Sequence, residues 1–270
     1  MESTPHVPSK NADIIELSDS CVPAAILSYD ETIVYKIFGN DSRKEVKDTT
    51  QAPYQWVCRL SMTFSGKNYV GTGWLCSTNS SKYDVVVTSG HCVYETSTGK
   101  FAESVTVVPG ADGKYAPWGA FTVGPSNLRA SAGWKAAGPN KSDFDYGAIL
   151  IPKTNCLGAC AMWVDKSPVN KQALISGYPG SNPSNAPYGY NWDKQGPIES
   201  ADSNTLFYTI DTSGGQSGSP VFALKAGSNF GHDNYINIYS IGIHWGYIGN
   251  SNAAMRMTSA VFNDVIEWSK

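Results

Sequence analysis

The chain has 270 residues, 41% of them apolar and 16% charged, with a formal net charge of -3. That balance excludes a disordered chain and a coiled coil, and the lack of a basic excess excludes a nucleic-acid surface built on charge. No apolar run approaches the ~20 residues that span a bilayer, so no membrane partner is expected.

Twenty-six glycines, eight tryptophans and fifteen tyrosines suit many short strands joined by turns, in one large all-β domain or two smaller units. Residues 1–36 mix polar residues with short apolar runs and end in Lys36-Ile37-Phe38-Gly39. They read either as a pro-segment released by cleavage after Lys36 or as an amino-terminal arm. No basic segment followed by an apolar core marks a signal peptide there.

From Trp56 the pattern becomes repetitive. Trp56 to Phe64 alternates with period two, as a half-buried strand should. Further strands are expected at Tyr69–Cys76, Tyr83–Thr88, Ser104–Val108, Phe121–Val123, Tyr146–Ile151, Ala173–Ser176, Leu206–Ile210, Val221–Leu224 and Ile236–His244. Turn signals between them favour a barrel or sandwich over alternating βα units. If two barrels pack together, the Gly/Ala/Ser/Asn-rich stretch 126–141 is the expected joint. Only the end reads as a helix. Ser259 is the expected N-cap, with Val261, Phe262, Val265, Ile266 and Trp268 on one stripe.

Six cysteines, Cys21, Cys58, Cys76, Cys92, Cys156 and Cys160, form an even set without a zinc-like double pair. Disulfides in an oxidising compartment are therefore expected, and no metal. Cys92 is matched with Cys76 at the end of the preceding strand, Cys156 with Cys160 across a short loop, and Cys21 with Cys58 by elimination.

The stretch Asp211-Thr212-Ser213-Gly214-Gly215-Gln216-Ser217-Gly218-Ser219-Pro220 crowds glycines and small hydroxyl residues between two apolar runs. Ser217 would sit on a tight turn with its hydroxyl exposed and backbone N–H groups free to converge, as acyl transfer requires. Alone, the same stretch fits a Gly/Ser-rich hairpin loop. A serine nucleophile needs a base, and there are four histidines. His6 and His232 lie in polar surroundings, whereas His91 follows the apolar strand Tyr83–Thr88, a rigid support suited to a general base. The acid that would orient it is Asp143 or Asp145, both just before Tyr146–Ile151, and spacing does not choose between them.

Thr88-Ser89-Gly90-His91-Cys92, Asp145-Tyr146-Gly147-Ala148-Ile149 and Gly215-Gln216-Ser217-Gly218-Ser219-Pro220 occur in the order His, Asp, Ser. With Ile175 to Gly180 and Ile241 to Gly246, the chain from Ile37 onward resembles the chymotrypsin-like serine peptidases. More narrowly it resembles the glutamyl endopeptidases related to staphylococcal V8 protease and their Bacillus relatives. The resemblance implies a trypsin-like domain over 37–270: two packed antiparallel six-stranded β-barrels with a carboxy-terminal α-helix and the active site between the barrels.

It also selects Asp145 over Asp143. It implies catalysis by His91, Asp145 and Ser217, an oxyanion hole from the Gly215 and Ser217 N–H groups, and Thr212 and His244 as the groups that bind an acidic substrate side chain. Cleavage after Glu or Asp in protein or peptide substrates follows, by a secreted monomer that needs no cofactor. Asp211 stands where trypsin-like enzymes select Lys or Arg, so that opposite preference stays open. A protease-like binding protein without catalysis and a sugar-binding β-sandwich are the readings from other classes.

Overall fold

The computed structural model describes residues 22–23, 36–138, 141–154, 157–180, 189–224 and 238–270. Val57–Phe64 (β1) and Lys67–Cys76 (β2) form a hairpin because Ser65 and Gly66 both take positive φ, 49° and 73°. That conformation matches the twist of the flanking strands across a two-residue loop. Tyr83–Thr88 (β3), Ser104–Pro109 (β4), Phe121–Val123 (β5), Leu128–Ala130 (β6) and Gly147–Pro152 (β7) complete a first sheet in the order β6-β7-β3-β2-β1-β4-β5, with Val22–Pro23 parallel to β2.

A second sheet is built from Gln172–Gly177 (β8), Trp192–Pro197 (β9), Thr205–Tyr208 (β10), Pro220–Leu224 (β11), Ile238–Ile248 (β12) and Ser251–Arg256 (β13). They run in the order β10-β13-β12-β11-β8-β9, with Lys44–Glu45 on the outer edge of β9. The amino-terminal stretch therefore joins the second sheet although the first sheet follows it in sequence.

Three apolar clusters hold this architecture. Leu60, Met62, Val86 and Ile149 fill the first sheet's interior, and Ile175, Leu206, Tyr208 and Val221 fill the second's. Between the sheets lies a third cluster containing Trp74, Val87, Leu150, Leu174, Phe222 and Trp245. The helix Ser259–Trp268 (α2) inserts Val261 and Val265 into that seam. The Tyr146 hydroxyl pins it by donating to Asp264 Oδ2 at 2.5 Å.

The mostly β, chymotrypsin-like fold agrees with the expectation from sequence, and three details correct it. The stretch 126–141 is not the joint: β6 still belongs to the first sheet, as does β7, and the crossing to the second sheet runs after Pro152. The helix is capped by Thr258, not Ser259, its side chain accepting from the Val261 N–H at 3.3 Å.

Cys58, Cys76, Cys92 and Cys160 are all free thiols, so the Cys76–Cys92 bridge is not formed. The two side chains lie in different clusters, Cys76 in the seam and Cys92 inside the first sheet. A Cβ placed on Gly71 would stand 2.9 Å from Cys92 Sγ, so the residue facing Cys92 from β2 is Gly71. Cys76 instead lies level with Cys160 in a parallel bridge. Cys21, Cys156, His6 and His232 fall outside the described residues.

Candidate active site

Register brings the expected site residues to one edge. In the β3–β7 pair Thr88 faces Gly147, so His91, three residues beyond Thr88, and Asp145, two before Gly147, leave the sheet together. His91 sits on a single 3-10 turn, Gly90–Cys92. Its backbone N–H donates to Asp145 Oδ1 at 2.8 Å and its Nδ1 meets Asp145 Oδ2 at 2.7 Å.

Both side chains are fully buried. Asp143, by contrast, lies in the 3-10 turn Lys141–Phe144 and makes no such contact with His91. The turn is fastened by Ser131, whose hydroxyl donates to Phe144 O at 2.5 Å and accepts from the Trp134 N–H at 3.0 Å. Ser131 thereby caps the short helix Ala132–Ala136 (α1) and holds the approach to Asp145. Burial alone would pull the His91 pKa down; the Asp145 carboxylate beside it outweighs that and raises it.

Ser217 stands on the loop between β10 and β11. Gly215 and Gly218 flank it with φ of 95° and 89°, a region that L side chains rarely adopt. Their missing side chains also admit other backbone: a Cβ on Gly218 would lie 1.9 Å from Thr72 O, and one on Gly215 2.6 Å from Gly180 N.

The loop is then tied to both sheets. The Thr72 N–H donates to Ser217 O at 2.8 Å, and the Thr72 hydroxyl donates to Gly215 O at 2.8 Å. The same hydroxyl accepts from the Tyr178 N–H at 2.9 Å, while the Gly180 N–H donates to Gly214 O at 2.5 Å. Ser217 O also lies 3.7 Å from the thiol of Cys92, the neighbour of His91. Among the described residues nothing accepts the N–H of Gly215 or Ser217, and the Ser217 hydroxyl makes no hydrogen bond. Catalytic contacts of that kind commonly stay long until substrate tightens them.

His244 reaches the loop from β12. Its N–H donates to Ser219 O at 2.8 Å, and its carbonyl accepts from Gly218 N at 2.6 Å and Ser89 Oγ at 3.0 Å. The imidazole is buried, and Nδ1 lies 2.8 Å from the Tyr208 hydroxyl. Burial, only partly offset by a hydrogen bond to the Ala253 backbone and reinforced by the charge of His91, lowers its pKa to about 3. Burial likewise holds the Tyr208 proton in place. Nδ1 lies within reach of that proton, and a ring that accepts there carries its own proton on Nε2. Thr212 is buried too, and its Oγ1 has no hydrogen-bond partner among the described residues.

Asp211 does not face an open pocket with a free carboxylate. Oδ1 accepts from the Phe38 N–H at 2.8 Å, and Oδ2 accepts from the N–H and hydroxyl of Ser42 at 3.2 and 2.6 Å. Sequence reasoning had no account of these partners, nor of Thr72, Ser89 and Tyr208 as supports of the site. The one local signal was Gly71-Thr72-Gly73, a small polar residue between glycines inside a strand, which marks a close approach of backbone.

A trypsin-like peptidase domain model matches residues 71–231, more than half of the chain. The chain belongs to the trypsin-like peptidase family.

The glutamyl endopeptidase of Bacillus licheniformis is 32% identical to this trypsin-like peptidase over 239 residues, covering 87% of this chain and 69% of the relative. A Bacillus subtilis protein named extracellular metalloprotease is 31% identical over 241 residues, covering 86% and 69%. A solved Glu endopeptidase in complex with MPD superposes with a TM-score of 0.69 at 27% identity, over 87% of this chain and 99% of that one. The trypsin-like peptidase is thus a hydrolytic enzyme with glutamyl endopeptidases among its homologues. Among the described residues no group of three or more His, Cys, Asp or Glu is placed to hold a metal ion, and no helix is long and apolar enough to cross a membrane.

Thr72→Val should leave Gly215 O and the Tyr178 N–H unsatisfied, costing about 1–3 kcal/mol for each buried group and slowing peptide hydrolysis. Urea denaturation and kcat for Thr72→Val against Thr72→Ser check this; a valine variant with wild-type values on both would refute it.

Proposed function

We propose that this trypsin-like peptidase is a serine endopeptidase that cleaves after Glu or Asp through an acyl-enzyme. The observation that carries the reading is the buried His91–Asp145 pair, 2.7 Å apart, set beside the tied-down loop of Ser217. Ser217 Oγ attacks the scissile carbonyl as His91 Nε2 takes its proton, and Asp145 holds the ring's tautomer and stabilises the imidazolium. The N–H groups of Gly215 and Ser217 receive the oxyanion, a role worth about 3–4 kcal/mol for one donor in such a site. The imidazolium then protonates the leaving amine, and water repeats the cycle on the ester. No metal ion or organic cofactor enters these steps.

An acidic preference draws support from His244 and Thr212. An imidazole that accepts from Tyr208 at Nδ1 presents an N–H at Nε2, and the buried Thr212 hydroxyl has no partner among the described residues. A substrate carboxylate entering a dry pocket requires such donors. The competing preference for Lys or Arg would need the Asp211 carboxylate, and three donors from Phe38 and Ser42 already engage it. The homologues named glutamyl endopeptidase point the same way. Processing after Lys36 fits this site as well: Lys36 O accepts from the Thr212 N–H at 3.3 Å, so a freed Ile37 amino group would emerge close to Thr212. A secreted monomer acting on proteins or peptides is the proposed working form.

Ser217→Ala should abolish hydrolysis and fluorophosphonate labelling, and a peptide library should yield new carboxyl ends enriched in Glu; enrichment in Lys or Arg would transfer selectivity to Asp211. Because His91 must be neutral to act and its pKa is raised, the acidic limb of kcat/KM should lie above the ordinary imidazole value. Asp145→Asn should move that limb to lower pH while cutting kcat by about 10³–10⁴-fold; an unmoved limb would detach Asp145 from His91. The intact mass of the active enzyme should begin at Ile37, whereas a fully active chain starting at Met1 would end the processing hypothesis.

A further inference from the structure

The segment from Lys36 to Arg43 runs along the stretch that presents the candidate nucleophile, and it holds Asp211, Thr212, Ser213 and Gln216. Lys36 O accepts from the Thr212 N–H. Asn252 Nδ2 donates both to Lys36 O and to Ile210 O, at 2.8 Å each, and Asn252 Oδ1 accepts from the Lys36 N–H at 3.0 Å. Phe38 and Ser42 hold Asp211, as described.

The last grip belongs to Arg43, whose side chain is only 2% exposed. One guanidinium nitrogen, Nη1, donates to Ser213 Oγ at 2.5 Å and to Gln216 Oε1 at 2.8 Å. Gln216 Oε1 also accepts from the Ser213 N–H at 3.0 Å, closing a small ring across the turn. On its other edge the guanidinium is paired with Asp41, Nη2 to Oδ2 at 2.7 Å and Nε to Oδ1 at 3.0 Å.

A buried guanidinium is costly unless its donors are matched, and here a carboxylate and two polar side chains match it. Gln216 is the residue between Gly215 and Ser217, so its side chain reports directly on the orientation of the peptide units carrying both candidate oxyanion donors. Gln216 is itself fully buried and cannot swing into water.

The geometry points to Arg43 as a positioning residue: through Gln216 and Ser213 it sets the angle of the Gly215 and Ser217 N–H groups, and it does so only when the segment Phe38–Arg43 is docked. This rests on the serine-peptidase reading for its catalytic consequence, though not for its structural one. The Asp41 carboxyl completes the device. Burial would raise its pKa, and the Arg43 guanidinium overrides this and holds it below the usual carboxylate range, so the pair stays charged at neutral pH. The fork shape matters as much as the charge, because one nitrogen serves two acceptors while the other edge meets a carboxylate.

The test compares wild type, Arg43→Met, Arg43→Lys and Gln216→Ala, with and without Arg43→Met, on a Glu-containing peptide anilide, with rates normalised by active-site titration. Misdirected oxyanion donors should lower kcat by about 10–100-fold in Arg43→Met with KM within about threefold, since removing one such donor outright costs about 10²–10³ in kcat. Arg43→Lys should recover part of the loss, and adding Gln216→Ala to Arg43→Met should cost little more. Unchanged kcat per titrated site, a loss confined to KM, or fully additive losses would overturn the proposal.

Hydrogen exchange read by mass spectrometry on wild type and Arg43→Lys separates the two layers of inference. Exchange should quicken in peptides covering 211–219 while the helix 259–268 keeps its protection. If wild type neither hydrolyses nor labels, the serine-peptidase reading falls, and the exchange still decides on Arg43: unaltered protection across 211–219 would overturn its role.

Discussion

The hydroxyl of Thr72 is the point on which the two halves of the molecule agree. It donates to a carbonyl of the Ser217 loop and accepts from the N–H of Tyr178, while the backbone of the same residue meets Ser217 O and the Thr88 hydroxyl. One strand residue of the first sheet therefore fixes two segments of the second and the end of the strand that leads to His91. No water-accessible alternative exists for these buried groups, so each must find its partner inside the protein. That demand makes the relative setting of the sheets unique.

Electrostatics then divides the two buried imidazoles between different tasks. His91 has a carboxylate at 2.7 Å and is biased towards accepting a proton. His244 has a phenol instead and is held neutral. Two buried carboxylates of the site divide similarly: Asp145 faces a ring that can become charged, whereas Asp211 is satisfied by N–H and O–H donors of the amino-terminal segment. Residue type alone would not separate the members of either pair; their neighbours do.

Much of the fold was legible in the sequence because long, alternating strands carry their own signal. β3 and β5 have the expected bounds, and most other expected strands shift by one or two residues at an end. β13, Ser251–Arg256, was missed because Ser, Asn and Ala are poor strand formers; it exists because Ala253 and Ala254 are small enough to be buried between neighbours. The short β6 and the polar β9 were missed for a similar reason. Of the site, the strand-end histidine and the glycine-flanked serine stood out locally. The choice of Asp145 needed a resemblance, because Asp143 and Asp145 differ only in where β7 begins. Thr72 left only the trace of its flanking glycines, and Tyr208 and Arg43 could not be found at all without knowing which distant segments meet. The Cys76–Cys92 expectation failed on strand direction: a thiol at the end of β2 points into the seam, away from the interior that holds Cys92.

The apolar seam between the sheets is as continuous as the interior of either one, and the terminal helix is wedged into it. Halves glued by greasy surface of that extent do not swing apart as ordinary linked domains do. The sheet edges that carry the His91–Asp145 pair and the Ser217 loop are thus held at a fixed spacing, and any accommodation must come from loops around them. For the proposed peptidase, selectivity would then be a matter of fit to a standing shape, with little to be gained by jaws that shut.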